Sequence, residues 1–363
     1  MNNTENDRTA LSQWSKPSLP EKILLIRFHA IGDIAVTLPS CNSFRNMFPY
    51  SKIDFLTDDS AKELLNSLAI FDSVYSLPDI FPPASRYKPK LLNRVKRISR
   101  AVKLGLRLRK IKYDIIIDIQ NNRLSRLVRK IISPDSWSEF DRLEPKPAGI
   151  RVLQTFHRAG FDELELSYDL PYKLAAIQKA ESILMDNGWD RSKRLIVLNP
   201  AGLWKTRNWP IENYVELGKL FLKEEPSQIL FLGTQRMSQR ADNLSSQFGE
   251  NVINLVNKTK IDEVFTILKY VSLIISEDSG LMHFGWVSGI PTIALLGSSR
   301  SDWTMPLGKH SRCLNSSDLP CGNCMKPECI YGDVHCLTRY TPEIVYHLSK
   351  ELLSSLKTSK RTV

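Results

Sequence analysis

Short apolar runs recur along the chain, each broken by a polar or glycine-containing turn and followed by apolar residues at helical spacing. In the first half, residues 22–28, 53–56, 73–77 and 114–119 read as strands, with helical patterns over residues 61–68, 91–110 and 124–132 between them. Residues 139–147 are charged and proline-containing, and after Asp169-Leu-Pro-Tyr172 the pattern predicts a bridging helix over residues 175–187. The rhythm then restarts: residues 195–199, 228–232, 251–254, 273–276 and 292–296 predict strands, and residues 211–223 one of the helices that alternate with them. Such alternation implies parallel sheets covered by helices, and 363 residues suit two cores better than one. The expected organisation is a tail over residues 1–20, a doubly wound, Rossmann-like α/β domain over 21–172 and a linker helix over 173–190. A second such domain follows over 191–340, then a C-terminal helix and tail over 341–363. In that closing helix Ile344, Leu348 and Leu352 share a face.

Two strand-to-helix turns carry the candidate chemistry. The first apolar run ends in His29-Ala30-Ile31-Gly32-Asp33, where Gly32 permits a sharp turn and Ile34, Leu38, Cys41 and Phe44 form the stripe of the next helix. Asp33 reads either as a plain helix cap or as a carboxylate kept ionised by the helix dipole. In residues 273–297 a strand meets Asp278, Ser279 and Gly280. Leu281, Phe284 and Val287 then fall at helical spacing, and Gly289 stands where a helix end wants a left-handed residue. Ser279 reads as a cap, and the free amides behind it as a seat for phosphate. Ligands of such sheets bind beyond the strand C-termini, so two facing domains would enclose a cleft lined by these turns.

Charge sharpens the picture. The net charge is +11, yet residues 86–112 alone carry 12 Lys or Arg and no acid, leaving −1 for the remainder. Leu91, Val95, Ile98 and Val102 lie along one helical face, with Arg94, Lys96, Arg97, Arg100 and Lys103 on the others. This basic amphipathic helix suits an anionic membrane surface, a phosphorylated substrate, nucleic acid, or plain solvent on its polar side. The membrane or lipid-phosphate reading is favoured, and the lack of interleaved aromatic residues argues against nucleic acid. No apolar run reaches the roughly 18 residues that span a bilayer, and residues 1–20 are polar and contain Glu5 and Asp7, unlike a secretory signal. The leader reads as disordered and the protein as cytoplasmic, peripheral to the inner membrane face, with reduced thiols. Cys321, Cys324, Cys329 and Cys336 fall within one short loop. They read as a structural zinc or iron site or as filling of a small core; the spacings differ from those of paired zinc knuckles.

Four separated pieces together resemble glycosyltransferase family 9, the bacterial ADP-heptose heptosyltransferases. They are Arg27-Phe-His-Ala-Ile-Gly-Asp-Ile-Ala-Val-Thr-Leu-Pro39, Asn199-Pro-Ala-Gly202 leading to Arg207-Asn-Trp-Pro210, Glu277-Asp-Ser-Gly-Leu-Met-His283, and the four-cysteine loop. The resemblance implies a GT-B fold with an acceptor domain first and a nucleotide-sugar domain second. It also implies inverting transfer of heptose from ADP-heptose, the donor substrate, onto a lipid A-linked inner-core or related glycan acceptor, with no cofactor or metal required. Asp33 matches the position of the general base, and Gly32, Arg97 and Arg100 are the expected acceptor contacts. Asp278 and His283 match donor-contacting positions, and a departing diphosphate needs positive charge and donors, which Lys205, Arg207 and the amides around Ser279, Gly280 and Leu281 could supply. The chain departs from the family in having Arg207 where Lys is common, which keeps a phosphate clamp, and in lacking an acid within residues 236–241. A turn-forming Asp278 and a buried, hydrogen-bonded His283 are the simpler roles for those two residues. Two other classes fit parts of the sequence: a nucleotide-sugar epimerase of the same architecture, and a nucleic-acid-binding protein using the basic helix and a four-cysteine knuckle.

Overall fold

The computed structural model describes residues 13–77 and 91–359. It divides into two compact units, one of Met1–Glu144 and Gly149–Ser167, the other of Pro145–Ala148 and Tyr168–Val363.

The first unit runs β1 (Lys22–Ile26), α1 (Ile31–Met47), β2 (Lys52–Asp58), α2 (Asp59–Asn66), β3 (Ser73–Leu77), α3 (Leu91–Arg109), β4 (Ile115–Asp118), α4 (Arg123–Ile132), β5 (Ser136–Glu139) and α5 (Ala148–His157). Its sheet has the order β3-β2-β1-β4-β5, and every pairing is parallel. The apolar runs become central strands because both faces of a doubly wound sheet are covered, so Ile23, Leu24, Leu25 and Ile26 are all fully buried. Side chains cap two of the following helices: Asp58 accepts from Ser60 N at 3.0 Å, and Asn122 from Leu124 N and Ser125 N, both at 2.9 Å. Residues 1–12 of the expected tail lie outside the described residues. Further along it, Trp14 N donates to Ala159 O at 2.9 Å.

Two features depart from the pattern reading. Strand β5 and helix α5 were not expected. Ser-Trp-Ser-Glu carries no apolar run, and it becomes a strand because an edge position needs only a ladder, here Ile115↔Ser136 to Glu139 opposite Asp118. On α3 two residues of the predicted apolar face turn outward, Val95 at 59% and Ile98 at 50% exposed, while Val102 is half-buried. The helix instead docks through Ala101, Leu104 and Leu108, beside Tyr113, Val128 and Ile132. Leu91 of that face, Arg94 of the basic ones and the basic residues before them lie outside the described side chains.

The second unit contains α6 (Leu174–Asp186), β6 (Arg194–Asn199), α7 (Ile211–Glu224), β7 (Ser227–Phe231), α8 (Ser238–Phe248), β8 (Val252–Asn254), α9 (Ile261–Ile267) and β9 (Leu273–Glu277). It continues with α10 (Gly280–Val287), β10 (Thr292–Leu295), α11 (Ser301–Thr304), β11 (Ser311–Leu314), α12 (His335–Thr338) and α13 (Pro342–Ser359). The parallel sheet runs β11-β10-β9-β6-β7-β8, with β11 an unforeseen edge strand. Gly289 has φ +71°, the left-handed end expected after α10. Helix α13 buries Val345, Ser349 and Leu352 and packs Leu348 on the same core, so Leu348 and Leu352 of the expected face turn inward while Ile344 is 45% exposed. Among the described residues no helix is long and apolar enough to cross a membrane.

Candidate functional site

In each sheet the strand order reverses beside the first strand, between β1 and β4 in one and between β6 and β9 in the other. Turns leaving two such neighbours diverge to opposite faces and open a crevice at the C-terminal edge, where ligands of this sheet class bind. Both candidate turns stand there.

In the first unit the turn after β1 is held from three sides. Gln120, just past β4, accepts from Phe28 N at 3.0 Å and His29 N at 3.4 Å. Arg27, 9% exposed, donates to Ile119 O at 2.8 Å and reaches the Asp33 carboxylate at 2.9 Å. Asp33 is not the cap of α1, as the plain reading had it: Ala30 takes that position, and Asp33 sits at the third residue of the helix with its carboxylate accepting from Ala30 N at 3.2 Å. Its side chain stays 48% exposed, so a bound hydroxyl can reach it. Gly32 lies beside it in the same first turn. The guanidinium groups of Arg27 and Arg151 both lie against the Phe140 ring, at 5.5 and 5.1 Å. Burial, helped by the charge of Arg27, holds the His29 imidazole below its ordinary value. Beneath the turn, Asp118 is fully buried and accepts from Gln120 N and Asn121 N at 3.2 and 2.8 Å; burial lifts its carboxyl to about 6. Arg97 and Arg100 belong to α3, whose inner face packs on α4.

In the second unit β9 ends in Glu277, and Ser279 caps α10 by accepting from Met282 N at 3.3 Å. Asn199, the last residue of β6, donates to the hydroxyls of Ser276 and Ser279, both at 2.8 Å, which ties the two strand ends together. Gly285 lets α10 approach the sheet: a Cβ there would meet Ile274 and Thr292 at 2.7 Å. A Cβ on Gly280, in contrast, would meet nothing within 4 Å, so the first residue of α10 is not packed against a neighbour on that side.

Beside it runs the loop after β6. Arg207 lies 2.9 Å from Asp278, its guanidinium 4.1 Å over the Trp204 ring, and each side chain of the pair is 14% exposed. Asp278 also accepts from Ser299 Oγ at 2.5 Å. Lys205 opens the same one-turn helix as Arg207 and is exposed. His283 accepts from Trp286 Nε1 at 3.1 Å and lies 3.3 Å from the Thr304 hydroxyl, hydrogen-bonded as its simpler reading had it but half-buried rather than buried.

Cys321, Cys324, Cys329 and Cys336 are free thiols lining one cavity of about 240 Å³ with Thr206 and Ser298. Burial, then the charges of the other three, pushes the Cys336 thiol up to about 11. Among the described residues no group of three or more His, Cys, Asp or Glu side chains that could hold a metal ion is found.

The sequence reading missed Gln120, Arg151, Asn199 and Glu277. Gln120, Asn199 and Glu277 stand at or just past a strand end with partners distant in sequence, and Arg151 stands on an unforeseen helix. Strand order, once known, is the signal that brings Gln120 to Phe28 and Glu277 to Gly202.

Residues 101–335, well over half of the chain, match the family model for glycosyltransferase family 9 (heptosyltransferase). The lipooligosaccharide heptosyltransferase 2 of Campylobacter jejuni is 25% identical over 276 residues, covering 72% of this chain and 82% of that protein. The lipopolysaccharide heptosyltransferase 1 of Pseudomonas aeruginosa is 22% identical over 357 residues, 89% and 96% of the two chains. Among solved structures, a family 9 glycosyltransferase from Veillonella parvula superposes with a TM-score of 0.76 at 19% identity over 92% of this chain and 98% of that one. ADP-heptose lipopolysaccharide heptosyltransferase II from Escherichia coli gives 0.69 at 19% identity over 93% and 99%. The chain is a two-domain enzyme of the GT-B fold and belongs to glycosyltransferase family 9, the heptosyltransferases.

Proposed function

We propose that this enzyme moves heptose from ADP-heptose onto a lipopolysaccharide inner-core acceptor with inversion at the anomeric carbon. Asp33 takes the proton of the attacking hydroxyl, and the loop bearing Lys205 and Arg207, with the amides at the start of α10, receives the departing diphosphate. The supporting observation is Arg207 set against Asp278 beside the open start of α10, at the place where the second sheet reverses its strand order. A guanidinium held beside a helix N-terminus suits a diphosphate. His283 and Asp278 act on this reading by fixing the shape of the site, Asp278 by holding the Arg207 guanidinium in place. Incubation with ADP-heptose and a panel of Kdo-bearing lipid A acceptors tests it, with product masses and ADP release as readouts. Consumption of the nucleotide sugar without acceptor would point instead to an epimerase, and release of no ADP with any acceptor would sink the proposal.

A second proposal concerns where the enzyme works. Val95, Ile98 and Leu106 are at least half exposed on α3, beside the exposed Lys96, Arg100, Lys103 and Arg107. Apolar side chains bordered by cations suit the interface of an anionic membrane.

A further inference from the structure

One carboxylate closes both ends of the loop that carries Lys205 and Arg207. Glu277, the last residue of β9, has no exposed surface. One of its oxygens accepts from Gly202 N and the other from Trp209 N, each at 2.6 Å. The loop between those amides holds Trp204, Lys205 and Arg207 and has a further anchor at its middle, where Ser298 N donates to Thr206 O at 3.1 Å. Arg240, from α8, spans the same two ends from another side, donating to Pro200 O at 2.8 Å and Asn208 Oδ1 at 3.3 Å.

We propose that Glu277 is a positioning residue for the donor: by bridging Gly202 and Trp209 it sets the loop that presents Arg207 and Lys205 to the diphosphate. The inference rests on the reading of that loop as the diphosphate site. A shorter or uncharged side chain cannot do the same work. Aspartate lacks the reach to both amides, and glutamine sets an NH2 donor against one of the two N–H groups.

The groups facing the carboxylate bear on how it titrates. They are the amides of Gly202 and Trp209, the guanidinium of Arg240 from α8 and the hydroxyl of Tyr214 from α7. Burial, opposed by those four, lifts the Glu277 carboxyl to about 8. Protonation would put a hydrogen on one of two oxygens that each face an N–H donor, so the bridge is complete only above that pH. Nucleotide affinity should therefore rise from pH 7 to 9, a window in which phosphate has already lost its second proton, of pKa about 6.

Calorimetry with ADP between pH 7 and 9 tests this on the native enzyme, Glu277→Gln and Arg207→Ala. The expected result is a native affinity that climbs with pH, and a folded Glu277→Gln protein that shows no climb, binding close to the native level at pH 7 and about tenfold or more weakly than native at pH 9. Equal affinities and equal pH profiles for native and Glu277→Gln would overturn the proposal. Arg207→Ala separates the two readings: if it weakens ADP and Glu277→Gln does not, the bridge fails alone. If neither weakens ADP, the diphosphate site itself is misplaced and the bridge falls with it. Should Glu277→Gln not fold, amide hydrogen exchange in the native enzyme decides. The Gly202 and Trp209 amides should be better protected at pH 9 than at pH 7 after correction for intrinsic rates, and equal protection would overturn the proposal.

Discussion

Arg207 and Asp278 form an ion pair at 2.9 Å in which neither side chain is more than 14% exposed, and the guanidinium also lies on the face of Trp204. A guanidinium fixed on two sides loses little freedom when a phosphate arrives at its remaining donors. Arg207→Ala is expected to weaken ADP about tenfold or more, since a charge-assisted phosphate contact contributes roughly 1.5–3 kcal/mol. Lys205→Ala, at an exposed position, should have the smaller effect. Calorimetry on both variants checks the order, and unchanged ADP affinity in both would remove the diphosphate from this loop.

Asp118 should give the stability of the enzyme a pH signature. Its carboxyl is raised from 3.8 to about 6, chiefly by burial, against the opposing pull of the Asn121 amide and the Arg129 charge. The native chain therefore keeps a proton that the unfolded chain has lost between about pH 4 and 6. Its contribution to stability falls as pH rises through that window and is flat above it. Asn at this position still accepts from Gln120 N and Asn121 N but cannot titrate. Thermal melts from pH 4 to 7 should show a difference between Asp118→Asn and native protein that grows in favour of the variant up to about pH 6 and then stays level. A constant difference across the range would refute the assignment.

Helix α3 separates what periodicity can tell from what it cannot. The pattern named residues that share a face, among them Val95 and Ile98, but not which face turns inward, because that depends on the partner helix α4 and on Ala101 and Leu108 meeting its Val128 and Ile132. The central strands and the two turns were legible because burial on both faces writes a continuous apolar run. Strand β5 was not, since an edge strand can be polar. Glu277 was quoted only as part of a motif: a carboxylate at the end of an apolar strand looks like a boundary, and the amides that make it a bridge lie at residues 202 and 209.

The exposed apolar side chains of α3 yield a membrane test with two arms. Binding to vesicles containing an anionic lipid should weaken with salt, because exposed charges are screened beyond roughly 10 Å at about 0.1 M. Neutralising Arg97, Arg100 and Lys103 together should lower binding and flatten its salt dependence, while Val95→Ser with Ile98→Ser should lower binding at every salt concentration. Vesicle sedimentation that is the same for all three proteins would return α3 to a solvated structural helix.

Asp33→Asn separates catalysis from architecture. In the native enzyme Asp33 bonds Ala30 N from the third position of α1 and pairs with Arg27. Asparagine keeps an oxygen for the Ala30 amide and forfeits the ion pair, and with Asp33 48% exposed that pair is worth no more than about 1 kcal/mol. Arg27 retains Ile119 O as an acceptor. The melting temperature should therefore drop by only a few degrees. Asparagine cannot take a proton from the acceptor hydroxyl, so the transfer rate should fall by roughly 10²–10⁴-fold. ADP affinity should hold, because the proposed diphosphate contacts belong to the other unit. A well-folded Asp33→Asn enzyme with native turnover would leave Asp33 as a structural member of the helix start and the proton acceptor still to be found.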